Sequence, residues 1–145
     1  MLINIETDST SYQLNIDLDM ALSDESLHKD MCELPRAIAH YAQIMGECKA
    51  YAANMKKQLE QAEAKADKDI RRAAAAAGEK TTEPSIAKSV TLDPVVSSAR
   101  SVYNKADAQL TMIEGFYRAL RDKSSIAIAL CYFQKDELKF MGVGD

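Results

Sequence analysis

The densest chemistry in the chain is cationic. Lys65, Lys68, Arg71 and Arg72 stand within eight residues; Lys80 and Lys88 follow, and then Arg100. A second group, Arg118, Arg121 and Lys123, comes later. Ammonium and guanidinium groups at this density suit a polyanion. Each phosphate they neutralise releases condensed counterions, which gives salt-dependent binding indifferent to sequence. Between Lys49 and Lys123 there are fourteen bases and ten acids. A bland alternative accounts for part of both groups, because cations near helix C-termini are favoured by the helix dipole without any ligand.

Catalytic chemistry has no comparable signature. There is no glycine-rich phosphate loop, nucleophile elbow, His/Cys metal cluster or helical pair of histidines. His28 lies in an acidic stretch and His40 beside Tyr41, well apart. Asp17 and Asp19 alternate with apolar residues and read as the solvated face of a strand. Cys32, Cys48 and Cys131 are odd in number and lack metal spacing, so they read as buried thiols of a reducing compartment. The expectation is a chain with no enzymatic activity, metal or cofactor.

The elements that must hold those cations are long helices. Of 145 residues, 47% are hydrophobic but only 6% aromatic, with 22 Ala, seven Met and no Trp. From Leu34 the core-type positions run Ile38, Tyr41, Met45, Cys48, Ala52, Met55, Leu59, Ala62 and Ala66. They alternate steps of four and three, a heptad seam. Pro35 sits near the expected first turn, and Gly78 after the Ala run 73–77 is the expected stop. The predicted helix is about 40 residues, roughly 60 Å at 1.5 Å each. Residues 78–91 read as a polar connection with one turn of helix after Pro84.

Asp93-Pro94 is an N-cap followed by proline at the first helical position. The second seam is Val96, Ala99, Tyr103, Ala106, Leu110, Ile113, Tyr117 and Leu120. Ser124 or Ser125 is expected to cap a third segment, Ile126 to Leu138. The first twenty residues differ: Leu2, Ile3 and Ile5, then Tyr12, Leu14, Ile16, Leu18 and Met20 in strict alternation, predict a β-hairpin around Asp8-Ser9-Thr10. Such a hairpin is marginal alone and needs a helix or another subunit against it.

The expected fold is mainly α: a long antiparallel helical hairpin plus a C-terminal helix, with a short N-terminal β-hairpin. Small seam residues bury little area each, so homo-oligomerisation is expected. Residues 1–30 are assigned to an acidic β-hairpin arm and connector, and 31–145 to a helical-hairpin domain. The net charge of −4 divides into −7 over residues 1–34 and +3 over the remainder. No apolar run reaches the 18 or so residues that span a bilayer, and no signal-peptide layout opens the sequence. A soluble, cytoplasmic protein is expected.

Several segments share a pattern of spacing and type. These are Leu-His-Lys-Asp (27–30) before the long helix, Lys65-Ala66 in a basic helix end, and Gly-Glu-Lys-Thr-Thr-Glu (78–83). Ser-Val-Thr-Leu-Asp-Pro (89–94) and Tyr-Arg-Ala-Leu-Arg-Asp-Lys-Ser (117–124) follow, before an Ile/Leu-rich helix. In these features the chain, from about Leu27 to Leu138, resembles the phage recombination mediators of the UvsY type. The resemblance implies a small helical oligomer that binds single-stranded DNA. It also implies a partner role: helping a strand-exchange protein, the recombinase, load onto strands coated by single-strand-binding protein. It places DNA contact at Lys65, Lys68, Arg71 and Arg72; Lys80, Lys88 and Arg100 join them from position along the hairpin. Asp67 and Asp69 within that stretch depart from the pattern and weaken its field. The N-terminal alternating segment has no equivalent in the family, which suggests a relative serving a strand-annealing protein. The acidic arm would contact a partner or compete with DNA. The alternative is a structural or adaptor protein without nucleic acid, such as a phage assembly chaperone, which the net acidic balance favours.

Overall fold

The computed structural model describes residues 1–8, 10–21 and 27–140. In chain order these form β1 (Leu2–Glu6), β2 (Ser11–Asn15), α1 (Ile16–Met20), α2 (Leu27–Ala77), α3 (Glu83–Leu92) and α4 (Pro94–Phe140). The molecule is thus mainly helical, an antiparallel hairpin of two long helices with a two-stranded sheet at the N-terminus. No helix among the described residues is long and apolar enough to cross a membrane. The chain divides into two compact units: Met1–Glu47 together with the residues from Thr111 onward, and Cys48–Leu110.

The heptad count carries most of this architecture. All ten α2 seam positions from Leu34 to Ala66 are buried or half-buried, and so are all eight from Val96 to Leu120 on α4. In the Cys48–Leu110 unit, Ala52 and Met55 pack with Ala106, flanked by Tyr51, Tyr103 and Leu110. Further along α2, Leu59 and Ala66 pack with Val96, flanked by Ala62, Val90 and Ala99. Residues later on α2 therefore meet residues earlier on α4, as antiparallel helices must.

The other unit has larger side chains in its core. Tyr41, Ile44, Ile113, Leu120 and Ile5 are all essentially inaccessible. Its β-hairpin pairs Ile3 with Leu14 and Ile5 with Tyr12, which puts the apolar residues on one face. Thr7 closes the turn: its amide N–H donates to the Thr10 carbonyl, and its hydroxyl accepts from the Thr10 amide. The Tyr12 hydroxyl donates to Glu47 on α2 at 2.7 Å, and its ring meets His40 edge-on. Ile44 lies off the heptad seam yet is fully buried. It sits between the seam and the His40–Glu47 flank under the hairpin, where two neighbours widen the apolar stripe.

Five local expectations change. The period-two pattern through Met20 does not continue as strand: β2 stops at Asn15, and Asp17 and Asp19 belong to the helix α1. Tertiary bonds override the pattern there, because Asp19 Oδ2 accepts the Tyr41 hydroxyl at 2.6 Å and its carbonyl accepts Lys123 Nζ at 2.9 Å. α2 begins at Leu27 rather than near Pro35, taking in Leu27–Asp30 of the expected connector. Pro35 in a helix interior costs about 3 kcal/mol. Leu27 and Leu34 on either side of it are each at least 96% buried and offset that at about 1.5–3 kcal/mol apiece.

The segment 126–138 is helical, but as the continuation of α4. Ser125 donates back to the Arg121 carbonyl four residues earlier, and Ser124 takes a half-buried seam position, so neither hydroxyl caps a new helix. In the expected connection 78–91, the one turn of helix after Pro84 is a ten-residue helix, α3, with Ile86 buried. Of the cysteines, only Cys48 is buried; Cys131 is half-buried and Cys32 exposed. The connector residues 22–26 and the hairpin's Ser9 lie outside the described residues.

Candidate nucleic-acid interface

Of the seven candidate cations, Lys65, Lys68, Arg71 and Arg72 lie on the last turns of α2, Lys80 in the turn between α2 and α3, Lys88 on α3 and Arg100 on α4. α2 ends on Gly78, which takes φ 68°, a conformation that L side chains avoid. The Gly78 amide donates to the Ala75 carbonyl and the Glu79 amide to Ala74, satisfying carbonyls the helix leaves open. Asp93 then serves two helices at once. Its amide donates to the Val90 carbonyl at the end of α3, while Oδ1 accepts the Val95 and Val96 amides at 2.8 and 3.1 Å to cap α4.

Within this frame the cations fall into two kinds. Arg71 is committed. Nη1 and Nη2 donate to the two carboxylate oxygens of Glu83 at 2.8 and 2.7 Å, and Nε donates to Asp67 at 2.9 Å. This bidentate fork ties the last turns of α2 to the first turn of α3. The bonds from Glu83 and then Asp67 hold the Arg71 guanidinium even more firmly protonated than usual. Arg71 in turn holds the Glu83 carboxyl below its ordinary range, by hydrogen bonding first and by charge second. Arg100 is committed as well: Nη2 donates to Glu63 at 2.7 Å across α2 and α4.

Arg72 meets Asp69 only at 3.9 Å, with both side chains more than half exposed. Such a pair holds little and is easily exchanged for another anion. Lys65, Lys68, Lys80 and Lys88 are exposed and make no ion pair or hydrogen bond among the described residues. Lys65, Lys68 and Arg72 follow i, i+3, i+7 spacing, which sets them on one stripe of α2 away from the buried seam. Exposed Lys57, two to three turns earlier, lies close to that stripe. The charge count passed over it because it stands outside the cluster; helical spacing back from Lys68 would have found it.

The later basic group, in the other unit, is divided in the same way. Lys123 is taken by the Asp19 carbonyl. Arg118 and Arg121 line an open hollow of about 310 Å³ with Met45, Glu114 and Tyr117. Tyr51 and Tyr103, the aromatics of the Cys48–Leu110 unit, are half-buried against its core. Neither ring stands free as a stacking platform for a base. Among the described residues there is no group of three or more metal-ligating side chains. His40 is edge-on to Tyr12 and Tyr41, and His28 is exposed.

No family model, curated protein or solved structure matches the chain.

Proposed function

We propose that the protein is a non-enzymatic accessory factor of DNA recombination, which binds single-stranded DNA and assists the loading of a recombinase or annealing protein. The observation that carries this reading is a run of exposed lysines without a carboxylate partner among the described residues, Lys65 and Lys68 on the last turns of α2 with Arg72, Lys80 in the turn that follows and Lys88 on α3. Arg71 and Arg100 then serve by holding the helices that carry those lysines. The resemblance to UvsY-type mediators supports the same role and adds its partners: single-strand-binding protein, the loaded enzyme, and further copies of this chain. A host-cell cytoplasmic setting belongs to this reading.

Fluorescence anisotropy with labelled oligo-dT tests it. Binding at low salt that weakens steeply as salt rises supports the role. No binding at about 50 mM salt, where phosphate contacts are strong, overturns it. The adaptor reading, a structural or assembly helical protein without nucleic acid, has its own support in the intramolecular pairing of Arg71 and Arg100. Purified protein free of nucleic acid that also fails the anisotropy test would favour it.

A further inference from the structure

The inner seam of α4, through Ile113, Leu120 and Ala127, is covered by the rest of the chain. On the opposite side of the same helix runs a second row with the same alternation of three and four: Met112, Gly115, Ala119, Asp122, Ile126, Ala129, Phe133, Asp136 and Phe140. Every one of these positions is exposed. Phe140 is 93% exposed, Phe133 72% and Ile126 55%, and Tyr132 at 66% flanks them. Ala129, Tyr132, Phe133 and Phe140 line an open hollow of about 580 Å³.

We infer that this outer row of α4 is the surface through which copies of the chain associate. The inference rests on the proposal that the protein works as an assembly, and is independent of whether it binds DNA.

Area supports it. Fully accessible aromatic side chains present about 150–250 Å² each, so Phe133, Phe140 and the flanking Tyr132, with Ile126 and Met112 on the row, expose on the order of 600 Å². One such face stands at the upper end of the about 300–600 Å² of a typical monomer's largest apolar patch, and two together reach the lower end of the roughly 1,200–2,000 Å² of a standard protein interface. Period supports it too. A row spaced at 3.5 residues fits another helix of the same period, and a second copy supplies one. Gly115 is compatible with it, as open in its surroundings as Gly46 on α2. Glycine in a helix interior costs about 0.5–1 kcal/mol against alanine, yet a Cβ there would meet nothing within 4 Å, so nothing among its described neighbours calls for it. A neighbouring helix approaching closely would. Asp122 and Asp136 stand on the row and Glu137 beside it, and acids at those places are costly in lipid. Between protein helices they can stay at the wet edge, where Asp136 already meets Lys139 at 3.9 Å.

Mass photometry and sedimentation of the full chain over a range of concentrations test the inference, with Phe133→Glu, Ala129→Glu and the off-row control Gln134→Glu. The wild type and the control are expected to form a defined oligomer. Both row variants are expected to shift to monomer at least tenfold more readily, with helical circular dichroism unchanged. Ala129→Glu removes no buried group, so it remains informative if Phe133→Glu folds poorly. A wild type that is monomeric throughout overturns the inference, as does an oligomer that both row variants leave intact. Monomer that instead sediments with anionic lipid vesicles, and loses this in the row variants, assigns the face to lipid and overturns it as well. Oligo-dT binding is read separately, so loss of the DNA role leaves the mass result standing.

Discussion

The two compact units solve the same packing problem differently. In the Cys48–Leu110 unit the helices meet through Ala52, Ala66 and Ala106, with Met55, Leu59 and Val96 the larger contributors. Small residues let backbones approach closely but bury little apolar area. This stretch carries the exposed lysines, and two cross-element ion pairs, Arg71–Glu83 and Arg100–Glu63, join its helices at the surface. In the other unit, isoleucine, leucine and tyrosine fill the interior, and a β-hairpin covers a second flank of α2. The comparison teaches that the region where cations stand most densely is the one whose core is thinnest. Cations there can be spaced by helix geometry alone, with little demand from packing, while the thicker region supplies the stability.

The largest expected effect tests that contrast. Leu120→Ala, at a fully buried position among large neighbours, should cost toward the upper end of the 2–5 kcal/mol typical of such truncations. Leu59→Ala, beside alanines and slightly exposed, should fall near about 2 kcal/mol. Urea denaturation of both variants measures the difference. Equal losses would break the contrast between a thick and a thin core.

A smaller effect sharpens the account of the hairpin-clad unit. Burial first, then the bond to Asp19 and its negative charge, hold the Tyr41 hydroxyl well above its ordinary value near 10. The folded chain therefore keeps a proton that the unfolded chain releases. Its contribution is full below about pH 10 and declines as pH rises beyond that. Tyr41→Phe should lose about 1 kcal/mol at neutral pH, for the missing bond and the stranded carboxylate oxygen. It should also lose stability less steeply than the wild type above about pH 10. Thermal melts across that range read both.

The smallest effect concerns the thin unit. Glu83→Gln loosens the local tie between α2 and α3 but, because Glu83 is exposed, should leave global stability near neutral pH little changed. It releases one side of the Arg71 fork, and the salt slope of oligo-dT binding should steepen by at most about 0.7, one added phosphate contact. At acid pH the wild type approaches the variant, because the depressed Glu83 carboxyl contributes only while ionised and loses its effect as pH falls through its folded value.

The fold was legible where a single physical rule governed. The 3.5-residue seams marked buried positions on both long helices, and Asp93-Pro94 and Gly78 marked true helix ends. Elsewhere two rules competed. A serine hydroxyl can cap a helix or bond back to a carbonyl within one, so Ser124 and Ser125 could not by themselves place a break. Pro35 looked like a start because the gain from Leu27 and Leu34 is visible only once both are buried. For the candidate interface, the sequence located the cations but not their partners. Glu83 stands twelve residues from Arg71 and Glu63 thirty-seven from Arg100. Which cations are already neutralised is a tertiary fact, as is the exposure of the outer row on α4.

The central claim is that the lysines without carboxylate partners bind single-stranded DNA while the paired arginines hold the frame. The most direct test is the dependence of oligo-dT affinity on salt for the wild type and for a variant with Lys65, Lys68, Lys80 and Lys88 all changed to Ala. At about 0.7 per phosphate contact on a single strand, the slope should fall by roughly 2–3, with affinity reduced alike for every sequence tested. A folded variant that keeps the wild-type slope would contradict the claim.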